Sequence, residues 1–92
     1  MISGFRHKGL RALFEKDDRR KLRAEDVNKI RRILARLNMA GTIEDVDAPG
    51  FRLHGLKGNR AGQWAVTVRA NWRIVFRFED GQVFDVDLVD YH

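Results

Sequence analysis

The hydrophobic positions of residues 1–39 recur every three or four places, which predicts two amphipathic helices. The first spans about 7–16 and the second about 25–39, with Gly41 as a natural stop. Two acidic residues open the second helix, where the helix dipole favours negative charge. Residues 2–5 have the length of a short strand that leads into the first helix. The two apolar stripes are Leu10, Leu13 and Phe14, and Val27, Ile30, Ile33, Leu34 and Leu37.

The second half of the chain alternates between apolar and polar residues, as β-strands with one buried face do. The alternation predicts strands over 51–56, 63–69, 72–78 and 82–89. Asp80-Gly81 indicates a tight hairpin, and the short connections favour an antiparallel meander. The residues expected to face inward are Phe51, Leu53, Trp64, Val66, Val68, Trp72, Ile74, Phe76, Phe78, Phe84, Val86 and Leu88. The pattern therefore predicts an α+β fold, with two N-terminal helices packed on one face of a small, mostly antiparallel sheet.

The same alternation places a second set of residues on the sheet face turned away from the helices, which we call the open face. This set consists of Arg52, His54, Ala65, Thr67, Arg69, Arg73, Val75, Arg77, Asp85, Asp87 and Tyr91. Arginine binds phosphate in a bidentate manner, histidine transfers protons near neutral pH, and tyrosine stacks on bases. This combination suits phosphodiester chemistry, for which RNA supplies its own nucleophile in the 2′-hydroxyl. The alternative is that Arg69, Arg73 and Arg77 only pair with Asp85 and Asp87 across the sheet.

Basic residues are concentrated in the first part of the chain. Residues 1–39 carry 12 basic and 5 acidic side chains, whereas residues 40–92 carry 6 basic and 8 acidic ones. A basic half on a small protein indicates a polyanionic partner, with RNA or DNA favoured over a membrane. Simple solvation of the helices is the other interpretation of the same charge.

The length and composition exclude several classes of protein. A chain of 92 residues predicts a single domain over 1–92. The absence of cysteine excludes disulfides and thiolate metal sites. No apolar run approaches the roughly 20 residues of a membrane span, and the first residues lack the apolar region of a signal peptide. We therefore expect a cytoplasmic protein that uses no metal or cofactor.

Three segments together resemble the HigB-type toxins of the RelE/ParE superfamily of bacterial type II toxin–antitoxin systems. They are 53–64 (LHGLKGNRAGQW), 68–74 (VRANWRI) and 89–92 (VDYH), and the resemblance extends over essentially the whole chain. It implies two helices on a small antiparallel sheet. It also implies an endoribonuclease that cleaves messenger RNA at codons in the ribosomal A site. The implied partners are the 70S ribosome with its messenger RNA and a HigA-type helix-turn-helix antitoxin.

The resemblance also implies a catalytic set, which consists of His54, Lys57, Arg73, Asp90, Tyr91 and His92. One histidine is expected to act as general base towards the 2′-hydroxyl, and the other as general acid towards the 5′-oxygen. Lys57 and Arg73 are expected to hold the scissile phosphate, Tyr91 to orient or stack the substrate, and Asp90 to orient a histidine. The implied product is a 2′,3′-cyclic phosphate or the 3′-phosphate formed from it. Which histidine is the base stays open.

Further basic residues are expected to contact RNA or the ribosome. They are Arg19, Arg20, Lys21, Arg23, Arg31, Arg32, Arg36, Arg60, Arg69 and Arg77. Those of the first half are equally suited to an acidic antitoxin segment.

Three competing functions fit the same small basic domain. They are a ParE-type inhibitor of DNA gyrase, a non-catalytic toxin kept as an antitoxin partner, and a metal-dependent nuclease using Asp85, Asp87 and Asp90. His54 and the Tyr91-His92 ending argue against gyrase inhibition, which needs no proton-transfer residues. The presence of the whole implied catalytic set argues against a non-catalytic toxin. Asp85 and Asp87 are more simply explained as cross-strand partners of arginines than as metal ligands.

Overall fold

A computed structural model describes residues 1–91 of the chain. These residues form two α-helices followed by a four-stranded antiparallel sheet, which confirms the predicted α+β fold. The elements are α1 (Lys8–Lys16), α2 (Ala24–Met39), β1 (His54–Gly55), β2 (Gln63–Arg69), β3 (Trp72–Glu79) and β4 (Gln82–Asp90). The strands follow one another across the sheet in chain order, so the predicted meander is also confirmed. Within residues 1–91 no helix is both long and apolar enough to cross a membrane.

Local signals set the ends of the first helix. The Nδ1 atom of His7 accepts a hydrogen bond from the backbone N–H of Leu10 at 3.1 Å and so caps the start of α1. At the other end Asp17 adopts a left-handed conformation with φ of 54°, and its N–H bonds the carbonyl of Leu13 at 3.1 Å. These contacts satisfy terminal backbone groups that the helix itself leaves unpaired.

The core lies between the helices and one face of the sheet. Leu10 from α1 and the stripe of α2 meet the inward residues of the strands, as the helical spacing predicts. The largest side chains that are almost completely buried include Leu10, Ile30, Ile33, Leu34, Leu37, Ile74 and Phe76. Burial of such side chains contributes roughly 1.5–3 kcal/mol each, so this interface is the main source of stability.

The N-terminal segment runs parallel to β4 and covers its outer edge. Ile2 bridges to Val83 and Phe5 bridges to Val86. The backbone N–H of Ile2 also donates to the side-chain oxygen of Asn38 on α2 at 3.1 Å. The short strand predicted over 2–5 is therefore present as isolated bridges, and it leaves β1 as the other edge of the sheet.

The strand predicted over 51–56 is much shorter in the structure. Only His54–Gly55 pairs with β2 as a regular strand, since Arg52 adopts a left-handed backbone conformation with φ of 52°. The expected faces are nevertheless retained: Phe51 is 2% exposed within the core, and Leu53 packs against it. The carbonyl of Phe51 also accepts a hydrogen bond from the N–H of Thr67 at 2.7 Å.

The prediction that Phe84 faces the core is wrong. The β3–β4 register shifts between Val75 and Arg77, and Asp85 opposite this shift has a φ of 57°. This β-bulge adds one residue to β4, so that Val83 and Val86 enter the core while Phe84 pairs with Arg77. The Arg77 guanidinium lies 5.2 Å from the centre of the Phe84 ring in a cation–π contact.

The prediction that Arg69 lies on the open face is also wrong. The β2–β3 register shifts between Thr67 and Arg69, at the end of the hairpin. Arg69 instead reaches the start of α2, where its Nε donates to the Asp26 carboxylate at 3.0 Å and its Nη2 does so at 3.4 Å. Asp26 is a buried carboxylate, with 8% of its surface exposed, so this ion pair fastens the hairpin to the helix.

Candidate functional site

The register of the sheet assembles the open face from all four strands. One row across the sheet consists of His54, Ala65, Val75 and Asp87, which are successive partners on β1 to β4. The neighbouring row contains Arg73 between Thr67 and Val89. Adjacent strands lie about 4.8 Å apart, so the backbones of β1 and β3 are separated by about 10 Å. Side chains from His54 and Arg73 can therefore contact one ligand that lies across this face.

A small apolar cluster forms the floor of the open face. Leu56, Ala65 and Val75 are buried there, and Val89 and Tyr91 pack against them. The backbone N–H of Tyr91 donates to the Asn71 carbonyl at 2.8 Å, which holds the residue in register beyond the end of β4. The half-buried tyrosine thus has a fixed position beside the polar residues of this face.

His54 is exposed on the edge strand and has one ring nitrogen engaged. Its Nδ1 lies 3.2 Å from the carbonyl oxygen of Arg52. Because a carbonyl only accepts hydrogen bonds, Nδ1 carries the hydrogen in this contact. In the neutral ring Nε2 then holds a free lone pair, which is what a general base requires.

Arg73 has an unusual environment at the start of β3. Its Nη1 donates to the carbonyls of Ala70 and Trp72, so the guanidinium lies against its own hairpin. Its Nε is buried and has no hydrogen-bond partner among residues 1–91. An unsatisfied buried donor costs about 1–3 kcal/mol, and a ligand that accepted a hydrogen bond from it would recover this cost.

The remaining predicted catalytic residues lie at the borders of this face. Lys57 is exposed and precedes the short 3-10 helix Gly58–Arg60. Asp90 ends β4 opposite Trp72, whose ring packs in the helix-side core. Strand alternation therefore places Asp90 on the face opposite to Tyr91. His92 lies outside the described residues.

Many of the predicted RNA-contacting cations are exposed but already paired. Arg20 bonds Asp18 at 2.8 Å, Arg23 bonds Glu25 at 3.1 Å, and Arg31 pairs with Asp17. Hydrogen bonds from Arg20 and Arg23 lower the pKa of the Asp18 and Glu25 carboxyl groups. Arg19, Lys21, Arg32 and Arg36 are exposed as well, and the Arg36 guanidinium donates to the Asp45 carbonyl at 3.0 Å.

Arg60 in the 3-10 helix and Arg77 on β3 also have partners. Arg60 donates to the side chain of Gln63 at 3.3 Å. Arg77 donates to Asp85 and to Glu79 at 3.0 Å each, and its hydrogen bond to Asp85 contributes most to raising the arginine pKa. The alternative that open-face arginines pair with acidic neighbours is therefore confirmed for Arg77. Arg73 has no such pair among residues 1–91.

One cation that the sequence did not single out, Lys29, lies near enough to Arg73 to feel its charge. Lys29 on α2 is half-buried and donates to the Gly50 carbonyl at 3.0 Å. Burial lowers the pKa of the Lys29 amine most, and the positive charges of Arg32, Arg52 and Arg73 lower it further. The spacing of Lys29 and Arg32 on one helix face, with the outward position of Arg52, was the signal available in the sequence.

A metal centre has no support in the described part of the chain. Residues 1–91 contain no group of three or more histidine, aspartate or glutamate side chains that could hold a metal ion. Asp85 is engaged with Arg77, and Asp87 uses one oxygen to accept the N–H of Leu88 at 2.9 Å. These contacts are those of carboxylates that pair within the sheet.

Comparisons with known proteins agree on one class. The model of the HigB-like toxin family, described as RelE-like toxins of the type II toxin–antitoxin system HigB, matches residues 3–92. Over 92 residues the chain is 44% identical to "Endoribonuclease HigB" from Proteus vulgaris, with 100% of both chains covered. It is similar to the structure of a YoeB–YefM complex from Staphylococcus aureus (TM-score 0.58, 18% identity, 100% of this chain and 95% of that chain). A YoeB/ParE toxin from Agrobacterium tumefaciens is also similar (TM-score 0.57, 20% identity, 99% and 96% covered).

Proposed function

Because the chain belongs to the HigB-like family of RelE-like toxins from type II toxin–antitoxin systems, we propose that it is a ribosome-dependent endoribonuclease. It cleaves messenger RNA in the A site and so stops translation. The observation that carries the proposal is the exposed imidazole of His54, tethered through Nδ1 to the Arg52 carbonyl, on the same sheet face as Arg73. The name of the 44% identical relative, an endoribonuclease, supports the cleavage of RNA.

His54 serves as the general base in the proposed reaction. Its Nε2 accepts the proton of the 2′-hydroxyl while the 2′-oxygen attacks the adjacent phosphorus. The bond from phosphorus to the 5′-oxygen then breaks, and the leaving oxygen takes a proton from the general acid, a role we assign to His92. The products are a 2′,3′-cyclic phosphate and a 5′-hydroxyl end. The reaction balances with proton transfers alone, since the nucleophile belongs to the RNA.

Lys57, Arg73 and Tyr91 bind and orient the substrate in this proposal. The two cations stabilise the negative charge that develops on the phosphate oxygens, and the charge-assisted hydrogen bonds of arginine are well suited to this task. The fixed ring of Tyr91 stacks against a base or positions the ribose. Asp90 acts from the border of the site by orienting a histidine.

The shape of the site supports the proposed dependence on the ribosome. The open face is a surface with His54 and Lys57 both exposed, so the protein alone excludes little water from a bound phosphodiester. The decoding site would supply the opposite wall and hold the codon in place. The exposed cations of α2 and of the segment before it provide electrostatic attraction to ribosomal RNA.

The family also indicates the partner that controls the activity. A toxin of a type II system is neutralised by an antitoxin, which we propose to be a HigA-type helix-turn-helix protein acting in the bacterial cytoplasm. Its segment would carry acidic side chains to match the excess of positive charge in residues 1–39.

Primer extension on a defined messenger RNA in a purified translation system tests the activity. Wild type should produce cuts in phase with codons, and only when ribosomes are present. The His54→Gln and Arg73→Ala variants should cleave about 10²–10⁴ times more slowly in a single turnover, the usual range for loss of a proton-transfer or charge-stabilising group.

Lys16→Gln is the matched control, because Lys16 is an exposed cation of α1 that lies outside the site. Its cleavage rate should equal that of wild type. Arrest of translation without cuts would show instead that the protein is a binding inhibitor. Unaffected translation together with blocked DNA gyrase would favour the ParE-type activity.

A further inference from the structure

Four cations form an electrostatic cluster where α2, the segment before β1 and the start of β3 come together, because three arginines lie near enough to Lys29 to act on its charge. They are Lys29, Arg32, Arg52 and Arg73. The amine of Lys29 is anchored to this junction by its 3.0 Å hydrogen bond to the Gly50 carbonyl. Arg32 lies one helical turn further along α2, so it shares this face of the helix. Arg52 follows Gly50 by two residues and adopts a left-handed conformation, with φ of 52°.

The positive charge at this junction is not neutralised by the protein. Among residues 1–91, none of these four side chains forms an ion pair with a carboxylate. Elsewhere in the chain Arg20, Arg23 and Arg77 all have acidic partners. Burial lowers the pKa of the Lys29 amine most, and the positive charges of the three arginines lower it further. Convergence of like charges is unfavourable in the free protein and becomes favourable when an anion binds among them.

The junction continues directly into the candidate catalytic face. Arg73 belongs to both groups, and its buried Nε has no partner within the described chain. On the helix side, a groove of about 480 Å³ runs between α2 and the turn before β1, with Arg32, Arg36 and Pro49 in its walls. An extended polyanion on the open face can thus pass over the junction and continue along this groove.

We propose that Lys29, Arg32 and Arg52 form, together with Arg73, a binding site for a backbone phosphate of the RNA strand that is being cleaved. The site takes a phosphate adjacent to the scissile one, and it acts by positioning the strand rather than by taking part in proton transfer. This inference rests on the proposed function, because the phosphate belongs to the RNA substrate proposed there. Messenger RNA and ribosomal RNA both offer such phosphodiester groups. We assign the phosphate in this site to messenger RNA.

Binding of a short single-stranded RNA with 2′-O-methyl groups, which the proposed reaction cannot cleave, tests the site directly. The variants are Lys29→Gln, which keeps a donor for the Gly50 carbonyl, and Arg52→Asn, since asparagine tolerates the left-handed conformation. Fluorescence anisotropy should show about tenfold weaker binding for the double variant, as expected for a lost charge-assisted contact. The slope of log affinity against log salt concentration should also fall by about 0.7, the value for one phosphate on a single strand.

Lys16→Gln removes an exposed cation elsewhere and should leave both the affinity and the slope as in wild type. Arg32→Gln provides a second probe that does not depend on the fold of the β1 segment, because Arg32 is exposed on a helix. It should lower the affinity in the same direction. Affinities and slopes of the double variant and of Arg32→Gln that equal those of Lys16→Gln would overturn the proposal.

Single-turnover cleavage on programmed ribosomes separates positioning from catalysis. Arg52→Asn keeps the backbone carbonyl that bonds His54, so only the side-chain cations are lost. The double variant should therefore need about tenfold more toxin for half-saturation, while its maximal rate stays within about twofold of wild type. Equal loss of affinity for vacant and for programmed ribosomes would assign the site to ribosomal RNA and contradict our assignment. Wild type that binds RNA through these residues but never cleaves would contradict the proposed function alone. Wild-type cleavage with an unchanged double variant would contradict the phosphate site alone.

Discussion

The ion pair between Arg69 and Asp26 gives a prediction about stability whose size follows from the geometry. Replacing Arg69 by methionine keeps much of the aliphatic packing but leaves the Asp26 carboxylate without its two hydrogen bonds, at 3.0 and 3.4 Å. The Asp26 side chain is 10% exposed, so water cannot fully replace the lost partner. The variant should therefore be less stable than wild type.

The expected loss lies between two known limits. Removing one member of a fully buried pair costs about 3–5 kcal/mol, whereas an exposed pair contributes about 0–1 kcal/mol. The Arg69 side chain is 37% exposed, which moves the estimate away from the buried limit. Asp26 also lies in the first turn of α2, where the helix dipole compensates part of its charge. We expect a loss of about 2 kcal/mol for Arg69→Met, equivalent to about 10 °C in melting temperature for a domain of this size.

Thermal and urea unfolding of Arg69→Met, Asp26→Asn and the double variant measure this pair in a double-mutant cycle. Arg69→Met leaves the Asp26 carboxylate unpaired, and Asp26→Asn removes that charge. The free energy of unfolding of the double variant should therefore fall by about 1 kcal/mol less than the sum of the two single losses. A loss for Arg69→Met below about 0.5 kcal/mol, the range of ordinary surface substitutions, would refute the reasoning. Additive single losses would refute it equally. The salt dependence of RNA binding should stay unchanged, since Arg69 points away from the open face.

Two further predictions concern the turn after α2 and the bulge in β4. Hydrogen bonds from the backbone N–H groups of Thr42 and Gly41 lower the pKa of the Asp45 carboxyl. The charged form therefore stabilises the fold above the unfolded pKa of about 4, and this stabilisation is lost as the pH falls through the folded value. The melting temperature of Asp45→Asn should be below that of wild type at pH 7, and the difference should close as the pH falls below about 4. For the bulge, unfolding measurements should show a loss of roughly 2 kcal/mol for Val83→Ala but only about 1 kcal/mol for Phe84→Ala, against the 3–5 kcal/mol expected for a core phenylalanine. The reverse order would show that Phe84 is the buried residue.

The regular elements were predictable because long periodic stretches repeat the same information many times. The helix predicted over 25–39 is observed as Ala24–Met39, and the strand over 63–69 is observed with those bounds. The hairpin at Asp80-Gly81 is confirmed by the positive φ angles of both residues, 50° and 77°. In each of these cases the local preference and the burial pattern favour the same structure.

The errors arise where one backbone angle changes the pattern. A bulge at Asp85 moves Phe84 to the opposite face of the sheet, and the residue types around it do not predict the bulge. Arg52 in a left-handed conformation shortens the first strand in the same way. Alternation assumes an uninterrupted ladder, so a single extra residue inverts every assignment on one side of it.

The candidate site was predictable in its residue types and less so in its surroundings. Alternation and the family resemblance agree on His54 and Arg73, and the structure describes both on one face. The hydrogen bond from His54 to the Arg52 carbonyl depends on the folded backbone. The position of Lys29 likewise depends on the contact between α2 and the turn before β1. Such contacts depend on how the helix packs against the sheet. No local pattern in the sequence predicts that packing.

The pairing of the N-terminal segment with β4 has a consequence for biosynthesis. The amino group of Met1 bonds the Gly81 carbonyl at 2.8 Å, and the N–H of Ser3 bonds the Val83 carbonyl at 2.7 Å. The partners of residues 1–3 are therefore synthesised about 80 residues after them, and these hydrogen bonds can form only then. Contacts across so long a separation form late, since the chain loses much entropy in closing the loop. A nascent chain that stops short of β4 lacks one strand of the open face, so the candidate site is incomplete until β4 has been synthesised.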